Sequence, residues 1–288
     1  MPRYLEAALR CSDAAERSGA LVPLHTELVE LAGCAPFVVR RLLSDTPKHL
    51  RSAGPKPNPF LPWDPALQVE LLGTEHVLIL NKFPVQRGHV LLITQSWQPQ
   101  SGWLQPRDWQ ALAAVEADTA GLWFFNSCAA AGASQPHRHL QLLPRSPGEA
   151  SCPLAAGVLA QLAREQPAWP WLYELSPRRR FGCSDAAAEL EELYQHHQQQ
   201  LGLGHPSHQV APVAPYNVLL DPAWFMTVVR RREHWAGLSI NALGFAGSLL
   251  VTPQSDVDWL QDHGPYALLE AVAEPRTRLR GPTDAPQR

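Results

Sequence analysis

The pentapeptide His137-Arg138-His139-Leu140-Gln141 constrains this chain more than any other stretch. In an extended strand successive side chains point to opposite faces. His137, His139 and Gln141 then share one face, with alpha carbons spaced roughly 7 Å apart, and Arg138, Leu140 and Leu142 take the other. Ala129 to Gln135, just before, is a run of small and polar residues that lets backbone N–H groups approach an anion closely. A neutral imidazole is a good nucleophile toward phosphorus, and the adjacent loop can hold the oxygens that are not transferred. Spacing alone leaves three readings open: phosphoryl chemistry, a metal pair, and two partly buried structural histidines.

The rest of the composition narrows the class. A formal net charge of -3 with 18% charged residues points to neither a nucleic-acid surface nor a polybasic membrane patch. Arg178-Arg179-Arg180 is short enough to be a solvated loop face. Five scattered cysteines, Cys11, Cys34, Cys128, Cys152 and Cys183, fit neither a disulfide framework nor a zinc knuckle. No apolar run reaches transmembrane length, and Glu6 and Arg10 interrupt any leader-like start, so a cytoplasmic protein is expected.

Hydrophobic periodicity predicts helices over residues 4–19, 106–119, 153–165, 185–201 and 259–272, the last restarting at Gly264-Pro265. Strands are expected over residues 38–43, 69–72, 76–81, 89–94, 122–126, 137–143, 214–220, 225–230 and 248–252. The 28 prolines imply long irregular connections, notably over residues 46–65 and 166–180. The glutamine and histidine run over residues 195–200 is expected to face solvent at the end of its helix, with His196 and His197 not acting as ligands.

Taken together, these motifs resemble the histidine triad superfamily, in its branch of ATP adenylyltransferases, or diadenosine tetraphosphate phosphorylases. The quoted residues are Ser134-Gln-Pro-His-Arg-His-Leu-Gln141, Asn81-Lys-Phe-Pro84 leading to His89 and an apolar strand, and Asn58-Pro-Phe-Leu-Pro62 before Asp64-Pro65. Tyr216-Asn217, Trp224 before the arginines, and Ser239-Ile-Asn-Ala-Leu-Gly-Phe-Ala-Gly247 complete the set. The resemblance implies an α+β fold, a HIT-like antiparallel sheet with packed helices. It divides the chain into an N-terminal helix and extended segment (1–65), a catalytic core (66–150) and a C-terminal region completing the fold (151–288).

The same resemblance implies a reversible reaction, diadenosine tetraphosphate plus phosphate giving ATP plus ADP, through an adenylyl-histidine on His139. His137 orients the strand, and Gln141, in place of the third histidine of the small hydrolase branch, holds an oxygen without acting as an acid. A backbone carbonyl accepting from Nδ1 of His139 would leave Nε2 free to attack. Asn81, Lys82, Asn126, Ser127, Gly132, Ala133, Ser134 and Gln135 are the expected nucleotide and phosphate contacts. His89 is a candidate supporting residue, Asn217 a weaker one, and Lys48 or Lys56 the candidate N-terminal lysine. No tightly bound cofactor or metal is implied; magnesium would enter with the nucleotide. The expected partners are the dinucleoside polyphosphate, ATP, ADP and phosphate, with no nucleic acid or membrane, and the chain is expected to be a monomer. Cys128, Ala131 and Val229 depart from the family's glycine, serine and proline, which bears on polyphosphate preference. Alternatives on the same site are an ADP-sulfurylase-like or other nucleotidylyltransferase and a hydrolase; a noncatalytic nucleotide-binding protein is the alternative of a different class.

Overall fold

The computed structural model describes residues 3–44, 58–146 and 148–276. After the amphipathic helix Arg3–Ser18 come β1 (Thr26–Val29) and β2 (Val38–Leu42). β3 (Gln68–Leu72), β4 (His76–Leu80) and β5 (Val90–Thr94) form an antiparallel meander. The helix Pro106–Glu116 leads to β6 (Gly121–Asn126), the small-residue loop, and β7 (His139–Pro144). Past the helix Ala155–Leu162 lie β8 (Tyr173–Pro177), the helix Ala186–Gln200, β9 (Tyr216–Leu220) and β10 (Trp224–Val229). The chain continues through β11 (His234–Trp235), β12 (Leu238–Ser239), the short helix Ala242–Phe245, β13 (Ser248–Val251) and the helix Val257–Val272.

Eight strands make one sheet in the order β3-β4-β5-β7-β6-β9-β10-β8. Its middle strands are largely buried on both faces and predominantly apolar. Period-two alternation divides them. Leu78, Leu80, Leu92, Leu140, Leu142, Trp123, Phe125, Val218 and Phe225 face a core built with the helices at Arg3–Ser18, Pro106–Glu116 and Ala186–Gln200. Val77, Ile79, Leu91, Ile93, Phe124, Leu219, Met226 and Val228 face the other way. By the same parity, His89, His139, Gln141, Asn126, Asn217 and Arg230 lie on this second face.

Arg138 takes the first face, as alternation requires. It donates to Asp108 at 3.0 Å, and Asp108 also accepts from His76 Nε2 at 2.7 Å and from the Gln105 N–H at 2.7 Å. One buried carboxylate at the start of the Pro106–Glu116 helix thus ties the histidine strand to the helix behind it. Removing either charge would leave the other buried and unpaired.

Three sequence expectations need correction. Residues 166–180 are not wholly irregular: Tyr173–Pro177 is the edge strand beside β10, and Pro177 fits because it ends the strand. Arg178 is not a solvated loop residue. It is buried and forks onto Glu116 at 2.5 and 2.9 Å. His197 does not face solvent. It continues the buried stripe Ala186, Leu190, Tyr194 and bonds Thr227 and Ser176 at 3.0 Å each, and burial pushes its imidazole down to about 3.

Candidate active site

β6 and β7 pair from Gly121↔Pro144 as far as Phe124↔Gln141, then separate. The loop that joins them opens at this fork, and His139 stands at its root. The His139 Nδ1–H donates to the His137 carbonyl at 2.8 Å. That fixes one tautomer and leaves Nε2 a lone pair that no described residue uses. Burial pushes the imidazole down to about 4, so it is neutral near pH 7. Phe60 lies edge-on against both histidine rings, with centroids 5.4 Å from His139 and 5.7 Å from His137.

The His137 side chain is saturated. Its Nε2–H donates to the Thr94 carbonyl at 2.9 Å, and its Nδ1 accepts from the Asn58 amide at 3.0 Å. Its contribution to the site is its own carbonyl, turned to His139. On the other side, a short relay runs from Asn81 through His89 to Gln141. The Asn81 amide donates to His89 Nδ1 at 3.3 Å, and the His89 Nε2–H donates to Gln141 Oε1 at 3.1 Å. Burial holds the His89 imidazole at about 4, which keeps Nδ1 an acceptor. With Oε1 engaged, the Gln141 NH2 group is the end left to face a ligand.

A second network locks the loop. Asn217 donates from Nδ2 to Asn126 Oδ1 at 2.8 Å and to the Ala131 carbonyl at 2.9 Å. Asn126 Oδ1 also accepts from the Ala242 N–H at 2.9 Å. Arg230, 1% exposed, donates to Asn217 Oδ1 at 2.6 Å, to the carbonyls of Ile240 and Arg232 at 2.8 Å, and more distantly to those of Val272 and Ala131. Burial lowers this guanidinium to about 10, far enough above neutrality that it stays a cation beside the loop.

Residues 2–160 match the family described as the Ap4A phosphorylase N-terminal domain, and residues 167–275 match the ATP adenylyltransferase C-terminal domain. The chain belongs to the Ap4A phosphorylase family. Two relatives from Saccharomyces cerevisiae share short stretches: protein APA1, 42% identical over 73 residues, and diadenosine 5',5'''-P1,P4-tetraphosphate phosphorylase 2, 35% identical over 80 residues. These matches cover 23% and 24% of this chain and 23% and 25% of the respective relative, so the chain spans about a quarter of the length of the curated relatives it matches. The fold is similar over nearly the whole chain to the crystal structure of yeast Ap4A phosphorylase Apa2, with a TM-score of 0.72 at 23% identity, covering 94% of this chain and 97% of that one. The same enzyme in complex with AMP gives a TM-score of 0.72 at 22% identity, with coverage of 98% and 99%. The histidine-triad-like α+β sheet expected from the motifs is therefore the fold observed.

Within this family fold the expected site residues divide. His139, Gln141 and Asn126 converge at the fork. Asn81 acts on His89 rather than lying free. Lys82 is exposed, and its carbonyl accepts from the Val22 N–H at 2.8 Å. Ser127 closes against β9, giving its N–H to the Tyr216 carbonyl at 3.0 Å and accepting the Tyr216 N–H at Oγ at 2.8 Å. At Gly132 the space a side chain would take is filled by the protein itself. A Cβ there would stand 2.5 Å from Asn241 Cβ, so its bare backbone serves the packing of loop on segment 240–242. The Ala133 N–H is spent on the Cys128 carbonyl at 3.0 Å. The main-chain N–H groups of Ser134 and Gln135 carry no protein acceptor among the described residues, and neither does Gln135 Oε1 carry a donor. Lys48 and Lys56 lie outside the described residues. A cavity of about 160 Å³ opens beside the loop, between Ser127-Cys128, Ser101 and segment 212–216.

Among the described residues no three His, Cys, Asp or Glu side chains group as a metal site. Nor is any described helix long and apolar enough to cross a membrane. Arg230, His89 and Asn217 each carry hydrogen bonds at the fork that their residue types alone do not announce. Parity was the available signal: Arg230 continues the alternation of Met226 and Val228, and Asn217 stands directly across from Asn126 in the β6–β9 register.

Proposed function

We propose that this chain catalyses phosphorolysis of a diadenosine tetraphosphate, yielding ATP and ADP. The observation that carries the reading is the neutral His139 imidazole, its Nδ1–H held by the His137 carbonyl and its Nε2, unpaired among the described residues, at the mouth of a small-residue loop. Nε2 attacks the phosphorus next to one adenosine. The new P–N bond forms as the bond to the bridging oxygen breaks, and ATP leaves with that oxygen's electron pair. The ring becomes a cation on bonding, and the His137 carbonyl stabilises it through Nδ1–H. An oxygen of inorganic phosphate then attacks the same phosphorus. The P–N bond breaks, ADP departs, and His139 returns to its neutral form.

The free N–H groups of Ser134 and Gln135 and the NH2 group of Gln141 supply donors for the nonbridging oxygens as charge builds on them. An amide cannot protonate a leaving group at neutral pH, and a polyphosphate leaving group needs no proton. The buried Arg230 cation adds a favourable field at the loop without touching the reacting atoms. Magnesium enters this scheme as part of the polyphosphate substrate, and the working unit is taken as a monomer, which sedimentation measures.

The test is incubation with diadenosine tetraphosphate with and without phosphate, resolving the nucleotides formed. Phosphate-dependent ATP plus ADP supports the proposal. AMP plus ATP without phosphate assigns a hydrolase instead. Absence of turnover assigns a noncatalytic binder and overturns it.

A further inference from the structure

Gln100 lies in a segment without periodicity or motif, yet it is 2% exposed and all its amide hydrogen-bonding is directed at one place. Its Oε1 accepts the His139 main-chain N–H at 2.8 Å. Its Nε2 donates to the Asn126 carbonyl at 2.7 Å and to the His139 carbonyl at 3.1 Å. These groups come from the two strands that part beyond Phe124↔Gln141, so the side-chain amide stands where the next rung of the ladder would be. Its own backbone is anchored on the approach to the histidine strand. The Gln100 N–H donates to the Pro136 carbonyl at 2.8 Å, the Arg138 N–H donates to the Gln98 carbonyl at 2.9 Å, and Pro99 bridges His137.

We infer that Gln100 is a positioning residue that sets the attitude of His139 and its distance from the phosphate loop. The inference rests on the proposed adenylyl transfer for its kinetic consequence, though not for its geometry. The His139 ring is oriented by the His137 carbonyl, and that bond depends on the main-chain conformation between residues 137 and 139. Gln100 holds this main chain at residue 139 and reaches across the fork to Asn126, the first residue of the loop's locking network. A simple apolar filler would leave the His139 N–H and two carbonyls unpaired. Another residue in the same place could close the gap without joining its two sides. A 1 Å error in placing a reacting group costs on the order of 100-fold in rate.

The experiment uses the full chain with Q100A and Q100E, and two readouts. Long-range proton–nitrogen spectra of the His139 ring, assigned with H139N, are recorded without substrate. Steady-state kcat and KM are measured with diadenosine tetraphosphate and phosphate, corrected for the folded fraction. Wild type is expected to show a single Nδ1–H tautomer. Q100A is expected to show a shifted or exchange-broadened ring, with kcat lower by about 30- to 100-fold and KM within about threefold. Q100E sets a carboxylate against two carbonyls, and its kcat is expected to rise as pH falls from 8 to 6, because the protonated acid regains a donor. This arm also decides the matter if Q100A does not fold. An unchanged His139 spectrum in Q100A, a kcat loss no larger than the loss of folded protein, or a Q100E profile parallel to wild type overturns the inference. A perturbed ring spectrum with a wild type silent toward the substrate upholds the positioning role and overturns the reaction instead.

Discussion

Lowering the pH separates this imidazole from an ordinary one. A histidine titrating near 6.5 is about 90% protonated at pH 5.5, and one titrating near 4 is about 3% protonated. His139 is the second kind, because it is buried under Phe60 and against the strand floor. The rate of adenylyl transfer to His139 in a single turnover, quenched on the millisecond scale, is therefore expected to be nearly flat from pH 7.5 to 5.5. A normal imidazole nucleophile would slow by about tenfold over that interval. The same burial sets a stability cost with a definite sign. In the unfolded chain the ring takes its proton near 6.5, in the folded chain only near 4. As pH falls the unfolded state binds the proton first. The stability held above about pH 6.5 is lost progressively toward pH 4, by roughly 3 kcal/mol in full. The denaturant midpoint is expected to fall between pH 7 and 5, and H139N is expected to shrink that fall. A tenfold decline in the single-turnover rate of still-folded protein, centred near pH 6.5, would refute the reasoning.

Two substitutions test the supporting networks. Replacing Arg230 by Met leaves Asn217 Oδ1 and the Ile240 carbonyl without this donor inside the fold; at roughly 1–3 kcal/mol per orphaned group, a loss of about 3 kcal/mol is expected. For a chain of this size that lowers Tm by roughly 6–12 °C in calorimetry, and an unchanged Tm would show that the loop does not depend on Arg230. Replacing His89 by Leu frees Gln141 Oε1, so the amide no longer presents NH2 in one direction; steady-state kinetics are expected to show kcat lower by about 10- to 100-fold with little change in KM.

Much of this architecture could be read from alternation alone. His139 and Gln141 share a face, and Arg138 takes the other, because strand geometry permits nothing else. The apolar runs at His76–Leu80, Val90–Thr94 and Tyr216–Leu220 are all central strands. What escaped the sequence falls into two kinds. His197 and Arg230 follow visible periods, but their polar side chains masked the fact that the period continues into the core. Gln100 follows no period. Its place depends on two strands parting some twenty-five and forty residues away, information that no local window contains. The surroundings of the loop are of the same kind: Gly132 and Ala133 have the composition of an anion cradle, and what lies beside Gly132 is a fold-specific neighbour distant in sequence, Asn241.

The alternation of the histidine strand also bears on which changes such a chain can survive. Neighbouring residues serve unlike surroundings: Arg138 answers to Asp108 behind the sheet, His139 to the open fork in front. Substituting one residue disturbs one surrounding. Inserting or deleting one residue between His137 and Gln141 would exchange both sets at once, sending an imidazole toward Asp108 and Leu140 toward the open fork. Length variants in this stretch should therefore be lost from a random library far more completely than point variants.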